Sequence, residues 1–356
     1  MRKAISQIIL VGRLREQGLA LIELMISLVL GLVIIGAVTG IMLSNMQSFR
    51  TTKGLSQIQD SLRVGYELLA RDIRQAGNVP CGKDIDLVNI LMPANTEGET
   101  PWQYDFADGI HGVAADKVLN GVDNRVDGTE ALILVSGVVG NIYMATYDDD
   151  NSSANFTVGT ADGDPHGLQD GEILLVCNAK QGTIFQMTNG SGQGSGTIVA
   201  NTGDKQEPGN CTKGLGPIIP GNNDNQPCDI NGNRGPYGPN TVVAKFESVA
   251  WYIGDTGRAG EGGRSLFMAR LDSTGNSLTQ IEIATGVIDV NLRYRLVDTS
   301  SFVNAGEVTN WADVNAVEVS LKLATLDRNI STDASENDGR LSRELTSVIA
   351  IRNRSL

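Results

Sequence analysis

The N-terminal part of the chain changes abruptly from a basic segment to an apolar one. Residues 1–18 are rich in arginine and lysine, and the run from Leu19 to Leu43 that follows carries one charge, Glu23. As a helix rising about 1.5 Å per residue, this run spans about 37 Å, more than a hydrocarbon core of about 30 Å. Basic flanks stay on the cytoplasmic side of a membrane. The pattern therefore predicts a transmembrane helix over 19–43, with the rest of the chain beyond the inner face.

Beyond the apolar run the pattern becomes amphipathic. Apolar side chains recur every three or four residues, at Leu55, Ile58, Leu62, Tyr66, Leu69, Ile73 and Ala76. This spacing places them on one face of a helix, with charged residues between them on the other face. Gly77 and Pro80 are typical of a helix end. The helix is therefore predicted to continue over 44–77 and to bury one face.

From Asn78 onward, short apolar runs and period-two alternation replace the helical pattern. Strands are predicted at Ala131–Ser136, Glu172–Asn178, Gly182–Thr188, Val242–Ile253, Ser265–Leu271, Val287–Leu296, Ala316–Ala324 and Thr346–Ile351. Because no helix-length amphipathic segment separates most of these strands, a parallel α/β fold is disfavoured. The predicted fold class is α+β: a long N-terminal helix packed on a mainly antiparallel β-sheet domain with long loops, residues 78–356.

Four cysteines lie in this β-rich region, two of them inside a Gly/Pro/Asn-rich stretch at 189–240 that is predicted to be a long loop or insertion. No pair has CxxC spacing, and an even count beyond a membrane span favours two disulfides in an oxidising compartment. Three pairings are possible. We favour Cys81–Cys177, which would fasten the helix end to the sheet, and Cys211–Cys228, which would close the long loop.

Composition and charge restrict the chemistry. The formal net charge of −13 argues against a general nucleic-acid binder, so no specific nucleic acid is predicted as a partner. The two histidines, His111 and His166, stand in polar surroundings that read as solvated loops. The Asp-rich stretches 123–127, 148–150 and 162–164 do not fit a calcium-binding EF-hand loop. We predict no catalytic residue, no metal and no cofactor, and hence no enzyme.

The segment Gly18-Leu-Ala-Leu-Ile-Glu23 resembles the cleavage and methylation signal of type IV pilins and pseudopilins. That signal has a basic leader ending in Gly and a Glu at the fifth position of the mature chain. The resemblance implies that a prepilin peptidase removes residues 1–18, cutting between Gly18 and Leu19, and that Leu19 is then N-methylated. Leu19 stands where Phe is commoner. Glu23 would pair with the α-amine of a neighbouring subunit, which implies a role in assembly.

Segments further along resemble the PilW family of large minor pilins of type IVa pili. They are residues 61–77, 128–135, 182–188, 249–253 and 351–354. The resemblance implies a minor pilin that primes pilus assembly and joins a tip complex, supporting twitching motility, adhesion and DNA uptake. It implies the other minor pilins, the major pilin and a tip adhesin as partners, an inner-membrane anchor, a periplasmic domain and a final place at the pilus tip. The alternatives are a minor pseudopilin of type II secretion and a membrane-anchored periplasmic enzyme.

Overall fold

The computed structural model describes residues 21–82, 85–95, 99–147, 154–160, 166–189, 196–202, 207–223, 226–272, 275, 277–331 and 337–354. One helix, α1, spans Leu21–Gln75. The described chain then forms the strands β1 Asp86–Asn89, β2 Ile110–Val113, β3 Ala131–Tyr147, β4 Ala154–Thr160, β5 Ile173–Cys177, β6 Gln181–Gln186, β7 Thr197–Ala200, β8 Pro220–Asn223, β9 Gln226–Cys228, β10 Val242–Asp255, β11 Arg264–Leu271, β12 Leu278–Thr285, β13 Val287–Leu296, β14 Phe302–Val303, β15 Val314–Ala324 and β16 Ser342–Ala350. Short 3₁₀ turns lie at Met92–Ala94, Trp102–Tyr104, Ala259–Glu261, Ala305–Glu307, Trp311–Asp313 and Asn337–Gly339.

The chain divides into two compact units, residues 1–53 and 54–356. In the first unit, α1 presents an apolar surface on all sides, and its large apolar side chains from Leu21 to Phe49 are 48–78% exposed. The hydroxyls of Ser27 and Thr39 donate to the carbonyls four residues earlier, so they are satisfied within the helix. A helix segment that is apolar all round and, among the described residues, has no buried position before Gly54 is typical of a membrane span.

In the second unit, the last turns of α1 pack into the β-rich domain. Ile58, Leu69 and Ile73 are at most 2% exposed and join a core cluster with strands of both larger sheets. A Cβ on Gly65 would lie 3.2 Å from Ala284 Cβ and Leu266 Cδ2, so this glycine lets the helix approach the sheet closely. The amphipathic stripe of the sequence is thus the face that the helix buries.

Two sheets of more than two strands form the domain. The larger runs in the order β1-β6-β5-β10-β3-β4-β7, with β11 beside β10, β12 beside β11 and β2 beside β3. The smaller has the order β14-β13-β15-β16 and is antiparallel throughout. The strands pair antiparallel except β1 with β6. This confirms the coarse prediction of a long helix followed by a mainly antiparallel domain, α+β.

The described residues of the stretch 189–240 include regular structure within the predicted loop or insertion. Three short strands, β7 to β9, lie within it. Asn210 and Leu215 are fully buried there, and Leu215 belongs to a second core cluster with β5 and β6. Asn210 Oδ1 accepts from the backbone N–H of Gln186, and its Nδ2 donates to the Gln186 carbonyl, as a paired strand would. These strands were not predicted because polar side chains stand where strand prediction relies on alternating apolar residues.

Candidate functional site

The assembly residue suggested by the sequence lies on the exposed, apolar part of α1. Glu23 is in the first described turn, within an apolar stretch of high mean hydropathy, 2.7, long enough to cross a membrane. A carboxylate in such a segment costs about 2–4 kcal/mol near the bilayer centre and less near the interface. An ionisable residue within a membrane-spanning segment is by default a candidate functional residue. The processing residues Gly18 and Leu19, like the leader 1–18, lie outside the described residues.

The same part of α1 has three glycines with open surroundings. A Cβ on Gly31, Gly36 or Gly40 would meet nothing within 4 Å among the residues that the structure describes. Each glycine costs roughly 1 kcal/mol relative to alanine in a helix interior. The packing within the described chain therefore does not account for them, in contrast to Gly65.

Two disulfides join Cys81 to Cys177 and Cys211 to Cys228, with Cα–Cα distances of 5.9 and 5.7 Å. This is the pairing that the sequence analysis favours. Cys81 follows the helix end closely and Cys177 ends β5, so the first bond fixes the residues after α1 to the larger sheet. The second ties residues 211 and 228 together within the stretch 189–240.

The end of α1 is also fixed by the C-terminal tail. The Asn353 side chain donates to the Gly77 carbonyl at 2.7 Å, and the Arg352 backbone N–H donates to the Arg74 carbonyl at 3.1 Å. The Arg354 guanidinium donates to the carbonyls of Trp311 and Asp108. Burial lowers the pKa of this guanidinium, although Asp108 raises it. The Arg352 backbone and the Asn353 side chain therefore fix the helix end, while the Arg354 guanidinium holds backbone oxygens beside it.

Next to this junction lies a cavity of about 590 Å³ that sequence reasoning missed. Trp102, Asp105, Asp108, His111 and Trp311 are among its lining residues. Most of the lining lies within 99–120, and residues near 133–135 and 305–311 supply the rest. The nearest sequence signal is the local grouping of Asp105, Asp108 and His111, of which His111 lies on β2.

The histidines differ from their predicted settings in one respect. His111 lies on β2, paired with Ile133, and its ring packs on Trp311 with 4.7 Å between centroids, so the predicted loop position is wrong. Burial lowers the pKa of His111 against the opposing effect of Asp108 and Asp105. His166 does lie in a loop, where its Nδ1 accepts from the Leu168 backbone N–H at 3.0 Å, and burial lowers its pKa.

The acidic stretches give no cation site that the structure describes. Among the described residues there is no group of three or more His, Cys, Asp or Glu side chains placed to hold a metal ion. The stretch 123–127 is described, and Arg125 there donates to the carbonyls of Lys117 and Ala114, holding the loop together. The stretches 148–150 and 162–164 lie outside the described residues.

No protein-family model, no curated protein and no solved structure matches the chain. Two features of the chain itself bear on its function: the exposed apolar segment of α1 with Glu23, and the packed, disulfide-bonded domain that follows.

Proposed function

We propose that this protein is a membrane-anchored minor pilin that takes part in type IV pilus assembly. The observation that carries the proposal is the division of α1 into an exposed apolar part with one acidic residue and an amphipathic part packed in a β-rich domain. A simple anchor needs no carboxylate in its apolar run. A subunit that stacks with neighbours through its helix has a use for one.

The proposed mechanism is charge pairing between subunits. Cleavage after Gly18 leaves Leu19 with a free α-amine, which carries a positive charge over much of the range below its ordinary pKa of about 8. Glu23 of one subunit then faces the amine of the next, so two charges that are each costly in lipid offset one another. Because the pair forms at one axial offset only, it also sets the register of the stack.

Two further observations support the compartment that we propose. The apolar helix suggests membrane anchoring, and the two disulfides point to an oxidising environment for the domain. We place the domain in the periplasm, on a single-pass anchor in the inner membrane, and at the pilus tip after assembly. The proposed partners are the other minor pilins, the major pilin, a tip adhesin and, during maturation, the prepilin peptidase.

The maturation step provides the test. Intact-mass measurement of the protein from pilus-enriched membranes should give a chain that begins at Leu19 and carries one added methyl group. A Gly18→Val variant is the matched control, since it alters the residue at the cut and should retain residues 1–18. A wild-type N-terminus at Met1, or beyond Leu43, would contradict the proposal.

A further inference from the structure

The residues that follow the apolar run of α1 combine an aromatic ring with two cations on one side of the helix. Met46, Phe49, Arg50 and Lys53 are spaced three and four residues apart, so they share one face. All four are exposed, Phe49 to 70% and Met46 to 48%. We call these four residues the basic patch. It lies wholly within the first unit, residues 1–53.

The two charges of the basic patch are not neutralised by the chain around them. The side chains of Arg50 and Lys53 form no ion pair with any residue that the structure describes. They are also the only charged residues between Glu23 and Asp60, although the protein as a whole carries a formal net charge of −13. Uncompensated positive charge beside a membrane span is attracted to anionic lipid.

The opposite side of the same helical turns is chemically different. Thr51 and Thr52 lie there, and their hydroxyls donate to the carbonyls of Gln47 and Ser48 at 3.0 and 2.9 Å. These polar groups are therefore satisfied within the helix. The basic patch, in contrast, presents charges and an aromatic ring that need a partner outside the described chain.

The position of the basic patch matches the headgroup layer of a bilayer. Along the helix axis, Met46 lies about 5 Å and Lys53 about 15 Å beyond Leu43, the last residue of the apolar run. The headgroup layer extends about 5–8 Å beyond the hydrocarbon. Side chains of an α-helix lean toward its N-terminus, which here is the side of the bilayer, and the long stems of Arg and Lys extend further in that direction. Both cations can therefore reach lipid phosphates while the ring of Phe49 enters the interface.

We propose that the basic patch binds the headgroup of an anionic phospholipid on the domain side of the membrane. Arg50 and Lys53 pair with the lipid's negative charge, and Phe49 and Met46 pack against the upper part of its acyl chains. The patch continues the apolar surface of the span directly, which favours lipid over a protein partner. The proposal rests on the membrane anchoring of α1 and is independent of the pilus assignment.

A single added thiol makes the patch accessible to measurement. The four cysteines of the chain form two disulfides, so Gln47→Cys supplies one free thiol next to the patch. The full chain, labelled there with acrylodan, is reconstituted in vesicles of phosphatidylcholine and phosphatidylglycerol in a three-to-one ratio. In one sample a fixed amount of the phosphatidylglycerol carries a doxyl quencher near the top of an acyl chain, and in the other the same amount of phosphatidylcholine carries it. Val33→Cys, labelled in the same way and tested with deep doxyl quenchers, reports insertion of the span.

Lipids that mix at random around the helix would quench equally in the two samples. We expect quenching at position 47 to be about three times as effective from phosphatidylglycerol, because each cation near the membrane surface favours an anionic lipid. Arg50→Gln/Lys53→Gln should make the two quenchers equally effective. Lys180→Gln/Arg270→Gln is the matched control, since it removes the same charge from exposed positions in the second unit and should leave the preference unchanged.

The label at position 33 separates the possible failures. If that label is quenched but the two lipids quench equally at position 47, or if Arg50→Gln/Lys53→Gln retains the preference, the basic patch is not a headgroup site. Quenching at position 47 by neither lipid, as when a second copy of the chain covers the patch, would also overturn the proposal. An unquenched label at position 33 would show that the span itself does not insert, and the headgroup site would fail with it. Loss of the lipid preference alone leaves the pilus assignment unaffected.

Discussion

The two parts of helix α1 form a comparison within one element. Between residues 54 and 75 its buried residues, such as Ile58 and Ile73, are explained by the sheets against which they pack. Between residues 21 and 53 equally apolar side chains, such as Ile34 at 62% exposure, belong to none of the core clusters formed by the described residues. The difference indicates that the first part is suited to an apolar environment outside this protein. Substitutions in the two parts should therefore have different effects on the stability of the domain.

The largest expected effect concerns the domain side of the comparison. Removing the Cys81–Cys177 bond with Cys81→Ser/Cys177→Ser should lower the free energy of unfolding of the domain by about 4 kcal/mol, because the bond closes a long loop. Its sequence separation is 96, against 17 for Cys211–Cys228. The matched Cys211→Ser/Cys228→Ser variant should cost about 3 kcal/mol. Urea unfolding in detergent measures both. A larger loss for the shorter loop would contradict this ranking.

A pair of identical substitutions on one helix tests the comparison directly. Ile73 is fully buried, so Ile73→Ala should destabilise the domain by about 2–5 kcal/mol through lost burial and a cavity. Ile34→Ala, in the exposed part, should change domain stability by less than about 0.5 kcal/mol. Both are read from urea unfolding of the domain. Comparable losses for the two variants would show that the exposed part is packed against the domain after all.

Glycines allow the opposite change, adding volume instead of removing it. Gly65→Val should destabilise the domain by about 1–3 kcal/mol, because its side chain would press on Ala284 and Leu266. Gly36→Val should leave domain stability unchanged, since nothing lies within 4 Å of its Cβ position. Thermal unfolding of the two variants side by side measures this. A neutral Gly65→Val would mean that the helix can move away from the sheet at little cost.

The smallest effect is a pH dependence confined to the domain. The pKa of His111 is lowered in the folded protein, so the folded state binds its proton less readily than the unfolded state. Between the folded pKa and the ordinary value of 6.5, the unfolded chain holds more protons, and stability falls as the pH falls. Comparing His111→Gln with the parent from pH 7 to 5 should show a shallower fall. An identical dependence of stability on pH in the variant and the parent would show that His111 does not contribute to it.

The helix and the central strands can be predicted well from the sequence because their apolar periodicity is strong. β13 was predicted with its observed bounds, Val287–Leu296, and β5, β6, β10, β11, β15 and β16 were predicted within a few residues. β12 was missed because its alternation is mostly exposed and it meets β13 through the single turn residue Gly286, φ 74°. β1, β2 and β7 are four residues long, too short for a period to be counted.

The candidate sites divide along similar lines. Glu23 can be identified from the sequence because it is the single charged residue in an apolar run. The cavity is not evident in the sequence because Trp311 is far along the chain from Trp102 and Asp108, and the fold brings the three to one cavity. His111 was misplaced in a loop for the same reason, since Gly109 and Gly112 on either side of it read as turn residues until the strand pairing is known.

The most direct test of the account is the removal of the charge from the exposed part of α1. Glu23→Ala lies outside the packed domain, so we expect normal processing, normal membrane abundance and unchanged domain stability. Under the proposed pairing, removal of the carboxylate leaves the α-amine of a neighbouring subunit without its counter-charge, and the register between subunits is lost. Sheared-pilus yield, measured beside membrane abundance, should therefore fall to a small fraction of the parent value. Glu67→Ala, which loses an exposed ion pair with Arg63, should leave it close to normal. Full piliation in the Glu23→Ala strain would contradict the assembly role proposed for this helix.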